Sequence, residues 1–333
     1  IAYGIVGFLS SIPAGKTLGK IGYQRSFVLS FMSRALVFLF LFLSKSNPIY
    51  LIPSMILDGL GAQFFWGGYY SLLSRSAHKK NMGKDLGLIQ FLLQVVAVIS
   101  PAISGFIAYL VGLEYLFLVG MVLALSSSIL ALMMDSKIHK NSISFKQFIS
   151  WAKEKRFIKL GVAYSGKYMS DTLIYLWPLY VFFLLGSVDR VGYLYTLSLF
   201  LAMFFTFFIG KYVDQHKDKK PFYLSGGFIS MLWLLRTQVF SVWSIALVDT
   251  FDRLATNVYS LFFDTIFMKR GKGHSSDEYF IYSEMMLSFS KVIFWSLFGL
   301  FFIFFSSWNS LFIFAGVAVL IGLLVSDKHH EHV

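Results

Sequence analysis

A chain of 333 residues that is 57% hydrophobic and only 14% charged, with a mean hydropathy of +0.68, carries too little charge to cover a water-facing surface. Soluble domains carry about a quarter charged residues. The sequence has no cysteine, which excludes disulfides and thiolate metal sites, and the placement of its basic residues has to account for a net charge of +12.

A membrane-crossing helix needs about 20 mostly apolar residues. In chain order the apolar runs are 1–14, 27–43, 49–73, 86–111, 115–134, 160–185, 191–209, 222–239, 243–268, 279–305 and 308–325. They predict an all-α fold, a polytopic membrane helix bundle of eleven spans. The first run is short and the chain opens inside it at Ile1, so a preceding N-terminal piece is expected. The connections alternate between short and basic. Of the 29 Lys and Arg residues, 22 fall in loops on one side, two (Lys45 and Arg190) on the other, and five within spans. The positive-inside rule then predicts cytoplasmic basic loops and a cytoplasmic C-terminus in a plasma (cytoplasmic) membrane protein. The net charge is thus a topology signal, and no nucleic-acid partner is expected.

The longest break, 135–158, places Phe145, Phe148, Ile149 and Ala152 at helical spacing with Lys146, Lys153 and Lys155 between them. That pattern predicts an amphipathic helix on the cytoplasmic interface. It divides the chain into an N-terminal transmembrane half, 1–134, a linker, 135–158, and a C-terminal transmembrane half, 159–333.

The two halves carry a weak repeat. The loop after the first run reads from Gly15-Lys16 to Arg25, and the loop after 191–209 reads from Gly210-Lys211 to Lys220. Gln90 and Gly105 match Glu284 and Gly299, fifteen residues apart in each case. These loops resemble the cytoplasmic signature of the major facilitator superfamily, Gly-x-x-x-Asp-(Arg/Lys)-x-Gly-x-(Arg/Lys)-(Arg/Lys). The first copy keeps Gly15, Lys20, Gly22 and Arg25 but has Gly19 at the aspartate position; the second keeps Gly210, Asp214, Lys219 and Lys220 but loses the central glycine. The resemblance implies two pseudo-symmetric halves with eleven of an expected twelve helices present, helix 1 being the missing one. It implies a monomeric secondary transporter working by alternating access. It also gives Asp214, with Lys219 or Lys220, the role of bridging helix ends on the cytoplasmic side.

An ionisable group in the hydrocarbon layer costs from about 2.5 kcal/mol upward, so each one needs a reason. Those read within the spans are Arg34, Asp58, Lys167, Asp171, Arg236, Asp249, Asp252, Arg253, Glu284 and Lys291, five of each sign. Arg34 with Asp58, and Arg236 with Asp249, lie on consecutive helices and are expected as structural ion pairs. Arg253 follows Asp249 by four residues, the favourable same-helix order. Lys167 and Asp171 are one turn apart, whereas Glu284 and Lys291 lie about 10 Å apart along their axis and must face other groups. The family resemblance implies that Asp58, Gln90, Gln94, Lys167, Asp171, Asp252, Glu284 and Lys291 are the candidates for substrate or proton handling in a central cavity. No nucleotide-binding loop, metal spacing or catalytic cluster is visible in the spans, so neither enzymatic activity nor a cofactor or metal is expected. The expected function is secondary active transport of a small polar solute across the lipid bilayer, with protons as candidate coupling ion. The alternative is a non-transporting polytopic receptor or assembly protein.

Overall fold

A computed structural model describes residues 1–77, 81–112, 114–135, 138, 141–186, 194–203, 208–209, 212, 219–272, 275–304 and 307–325. Every regular element among them is helical: α1 Ala2–Leu43, α2 Leu51–Ser76, α3 Met82–Val111, α4 Tyr115–Leu132, α5 Phe145–Trp151, α6 Lys155–Leu173, α7 Trp177–Leu185, α8 Leu194–Met203, α9 Lys220–Leu235, α10 Val242–Gly271, α11 Ser276–Phe304 and α12 Trp308–Gly322. The polytopic all-α bundle is therefore what the chain forms. Six helical stretches among the described residues are long and apolar enough to cross a membrane. α10 is not one of them because Asp249, Asp252, Arg253 and Asp264 interrupt its apolar run.

α1 is two helical segments that meet at a kink, where Gly22 sits at φ +80° and ψ 174°. Two predicted spans, 1–14 and 27–43, are thus joined at one buried hinge residue. Only glycine takes that conformation without a Cβ penalty, which explains the glycine in the first signature loop. The predicted span 160–185 is likewise broken: α6 ends at Leu173, a single 3₁₀ turn follows at Ile174–Leu176, and α7 begins with Pro178 in its first turn. A proline has no N–H to donate to the preceding turn, so the break falls where the ring demands it. The linker pattern also forms a helix, α5, capped by the Ser144 side chain on the Gln147 amide at 3.2 Å. Phe148 and Trp151 pack on the Tyr282 ring, leaving Phe145 and Ile149 exposed.

By contacts the chain forms two compact units. The first comprises Ile1–Ser76, Ile103–Lys155 and Gly271–Ser296; the second comprises Ala77–Ala102, Arg156–Arg270 and Leu297–Val333. Each unit therefore takes most of one helix from the other half of the sequence, α3 going one way and α11 the other. Small side chains explain the second exchange. A Cβ on Gly4 would come 2.9 Å from Val292 Cγ2, and one on Gly7 would come 2.8 Å from Ser288 Oγ, so α1 admits α11 closely along this face. α1 and α2 also meet closely: Ser30 donates to the Gly61 carbonyl at 2.8 Å and Ser26 to that of Phe64 at 2.8 Å. At the loop ends of this unit Lys45 is paired with Glu114. Their hydrogen bond raises the lysine pKa and lowers that of the glutamate, so the pair persists at neutral pH and is lost as acid reaches the depressed glutamate range.

In the second unit α6 and α12 approach through glycines. A Cβ on Gly166 would lie 2.7 Å from the Ala318 carbonyl oxygen and 2.8 Å from the Gly322 nitrogen, both rigid backbone. Gly166→Ala should therefore force the helices apart at about 1–3 kcal/mol and lower the melting temperature of the detergent-solubilised protein. Gly227→Ala is the control, because a Cβ there meets nothing within 4 Å and alanine favours the helix. Equal melting temperatures for the two variants would refute the close-packing argument.

Candidate functional site

Four helices of the second unit bring polar side chains together. α6 supplies Lys167 and Asp171 one turn apart, with Lys167 Nζ 2.6 Å from Asp171 Oδ2. α10 supplies Asp264, whose Oδ1 lies 3.9 Å from the same Nζ. From α3, Gln90 Nε2 donates to Asp264 Oδ2 at 3.4 Å. Further along the same two helices, Gln94 Nε2 donates to Asn257 Oδ1 at 2.8 Å. Asn257 Nδ2 in turn donates to the Ala202 carbonyl of α8 at 3.4 Å. The Lys167 ammonium also lies 5.7 Å from the centre of the Phe263 ring, a cation–π contact. One ammonium thus stands between two carboxylates, a formal charge of −1 when all three are ionised, bordered by three amides. Lys167 is mostly buried, while the Asp171 side chain keeps 41% of its exposure and Asp264 24%.

Gln90, Gln94, Lys167 and Asp171 are all sequence candidates, and the structure joins each to this cluster. Asp264 and Asn257 are not among them. Asp264 is missing from the ionisable residues read within the spans although it lies inside 243–268, four residues before the run ends. Including it makes six acids against five bases, so a strict balance of charges does not hold.

A second cluster in the same unit is closed. Arg236 has no exposed surface; its Nη2 lies 3.1 Å from Asp252 Oδ2. Its guanidinium lies 3.8 Å from the centre of Trp233 and 4.7 Å from that of Trp177. Asp249, the expected partner of Arg236, instead accepts from Arg253 Nε at 2.8 Å. The correction is less than one helical turn. Depth along a helix places a residue only to about the 5.4 Å pitch, and residues three apart share a face. Asp252, a cavity candidate from the sequence, is accordingly in contact with Arg236 and buried.

The remaining candidates fall in the first unit. Arg34 on α1 is paired with Asp58 on α2, both partly exposed. Glu284 and Lys291 on α11 are buried, with Lys291 Nζ 4.9 Å from the Tyr3 ring centre. Beside them Ser11 donates to Gln63 Oε1 at 2.9 Å, and Gln63 Nε2 donates to Ser288 Oγ at 3.2 Å. In the first signature loop Gly15 is buried and Lys20 and Arg25 are exposed. Tyr23 donates to Asp277 Oδ1 at 2.7 Å, and Arg75 reaches the same oxygen at 3.3 Å. Of the second loop, Gly210 and Asp214 lie outside the described residues; Lys219 and Lys220 open α9.

The family model of the Major Facilitator Superfamily matches residues 1–188, more than half of the chain. The chain belongs to this superfamily. Superfamily membership makes it a multi-pass membrane protein of a transporter family and not of an enzyme family. Solved superfamily structures share its fold. A variant of the E. coli fucose:proton symporter FucP is 11% identical at a TM-score of 0.70, covering 97% of this chain and 88% of that one. FucP in the outward conformation matches at 0.68 with 11% identity, covering 97% and 87%. The human organic anion transporter MFSD10 (TETRAN) matches at 0.72 with 12% identity, covering 98% and 82%. A comparison with curated protein sequences finds no match.

Proposed function

We propose that this superfamily member is a secondary active transporter that moves a small polar solute by alternating access, coupled to protons through the Lys167 cluster. The observation that carries the reading is the position of Lys167 between Asp171 and Asp264. Three charged groups with a net −1 are costly inside a membrane protein, and one proton on an Asp264 oxygen makes the set neutral. Lys167 then keeps its ion pair with Asp171. Gln90, Gln94 and Asn257 offer neutral donors and acceptors to a polar solute at the same place. Binding of solute and proton at one cluster couples the two through a shared free energy.

In the same reading the halves 1–134 and 159–333 are repeats joined by the 135–158 linker. The exchange of α3 and α11 between units supports this, because these helices carry the matched residues Gln90 and Glu284. The basic loops and C-terminus face the cytoplasm, and the protein acts as a monomer in the plasma membrane. Impermeant thiol labelling of Lys153→Cys tests the orientation, since the chain has no native cysteine; labelling from outside intact cells would reverse it. Function is tested in liposomes carrying the purified protein and an internal pH dye, against a panel of sugars, amino acids and amines. At least one solute should produce saturable, solute-dependent proton entry, and an imposed pH gradient should drive its uptake. Solute uptake indifferent to the gradient would remove the coupling, and no uptake of any kind would remove the transport reading.

A further inference from the structure

The first unit holds a cavity of about 550 Å³ between the first signature loop and the linker, lined by Lys16, Gly19, Lys20, Asn141, Ser142 and two linker isoleucines. Lys16 and Lys20 are one turn apart on α1, so both ammonium groups lie along one face. Like charges at this spacing oppose each other. Among the described residues neither lysine has a carboxylate within ion-pair distance. The acids at the start of α11 bond to groups other than these two lysines, Glu278 to the cavity wall itself. Glu278 Oε1 accepts from the Ser142 amide at 3.0 Å and from its hydroxyl at 3.3 Å, while Asp277 accepts from Tyr23 and Arg75. Asn141 reaches over the helix to donate to the Gly15 carbonyl at 3.0 Å.

Gly19 makes this closure possible. A Cβ there would fall 2.6 Å from Asn141 Oδ1, so a side chain at position 19 would displace the Asn141 amide from the Gly15 carbonyl. The same glycine stands where the signature places an aspartate, and among the described residues the cavity lining therefore contains two cations and no acid. Lys16 lies only two residues beyond the apolar run that ends at 14, about 3 Å along the helix. That is the depth of lipid headgroups, where basic pockets bind anionic lipid.

We propose that this cavity binds a phosphoryl anion, supplied by the headgroup of an anionic phospholipid. The same chemistry would take free phosphate, and the experiment separates the two sources. The full chain in a neutral detergent is titrated calorimetrically, at constant ionic strength, with short-chain phosphatidylglycerol, short-chain phosphatidylcholine and inorganic phosphate. Phosphatidylglycerol should bind clearly more tightly than phosphatidylcholine. At about fivefold per surface lysine, the double variant Lys16→Gln/Lys20→Gln should weaken it about 25-fold. Gly19→Asp should weaken binding more than Gly19→Asn, which crowds Asn141 equally but adds no acid, and Lys45→Gln, whose lysine pairs with Glu114, should change nothing. Saturable phosphate binding lost in the double variant, without a preference between the two lipids, would assign the same site to a soluble phosphate compound. The proposal is overturned if neither phosphatidylglycerol nor phosphate binds, or if the double variant binds them as the unaltered protein does.

Discussion

Asp264→Asn is expected to abolish gradient-driven solute uptake while leaving the fold and downhill solute exchange nearly intact. The substitution keeps the shape of the side chain and its contact with Gln90, but removes the group proposed to carry the proton. Lys167 keeps a carboxylate at 2.6 Å in Asp171, so no ammonium is stranded and the stability cost should be small. The loss should therefore appear in coupling. Solute affinity that depends on pH in the unaltered protein should become independent of pH in the variant, a change of about 5–150-fold for a typical coupling free energy. Asp171→Asn removes the nearer carboxylate and leaves Lys167 facing Asp264 at 3.9 Å. It should disturb solute affinity and coupling together. A purely structural network predicts another pattern, in which both variants lower the melting temperature and every mode of transport falls in parallel. Normal pH-gradient-driven accumulation by Asp264→Asn would end the assignment of the proton to that residue. Glu284→Gln provides a separate comparison, because Glu284 lies on α11 in the first unit and a loss of coupling there would move the proton path away from Lys167.

The fold was legible because the membrane imposes one-dimensional rules: length of apolar run, side of basic residues, and the few residues able to break a helix. Gly22 and Pro178 mark real breaks for reasons written in their covalent structure. The partners of polar groups were less legible. A helix fixes the depth of a side chain to within a turn but leaves its neighbour to packing, so depth alone points Arg236 to Asp249 whereas Asp252, three residues on, is the acid in contact. Asp264 was within reach of the sequence, as it stands inside a drawn span. What no one-dimensional reading supplies is its company: Gln90 and Lys167 come from helices far away in the chain. The exchange of α3 and α11 has the same character. It follows from close surfaces, such as Gly4 and Gly7 against Val292 and Ser288, whose partners the glycines alone do not name.

Asp252→Asn should be among the most destabilising conservative changes in the chain, at about 3–5 kcal/mol. The volume hardly changes, so the cost is electrostatic. Arg236 has no exposed surface and Asp252 has 3%, hence water cannot replace the lost carboxylate. Asp249 cannot readily substitute for it, because Arg253 already holds that acid at 2.8 Å. The tryptophan faces at 3.8 and 4.7 Å retain the guanidinium but contribute only about 2 kcal/mol when desolvated, less than a full counter-charge. Removing both members should be far milder, since a buried pair replaced by apolar residues of similar size is often neutral or stabilising. Arg236→Met/Asp252→Leu should therefore recover most of the melting temperature that Asp252→Asn loses. Lys45→Gln and Glu114→Gln serve as the contrast: that pair lies in the loops with 66% and 28% side-chain exposure, so either change should leave the melting temperature nearly unchanged. An Asp252→Asn protein that melts with the unaltered one would show that Arg236 tolerates burial without its acid. A double variant as unstable as the single would place the loss in packing around Trp177 and Trp233, not in a stranded charge.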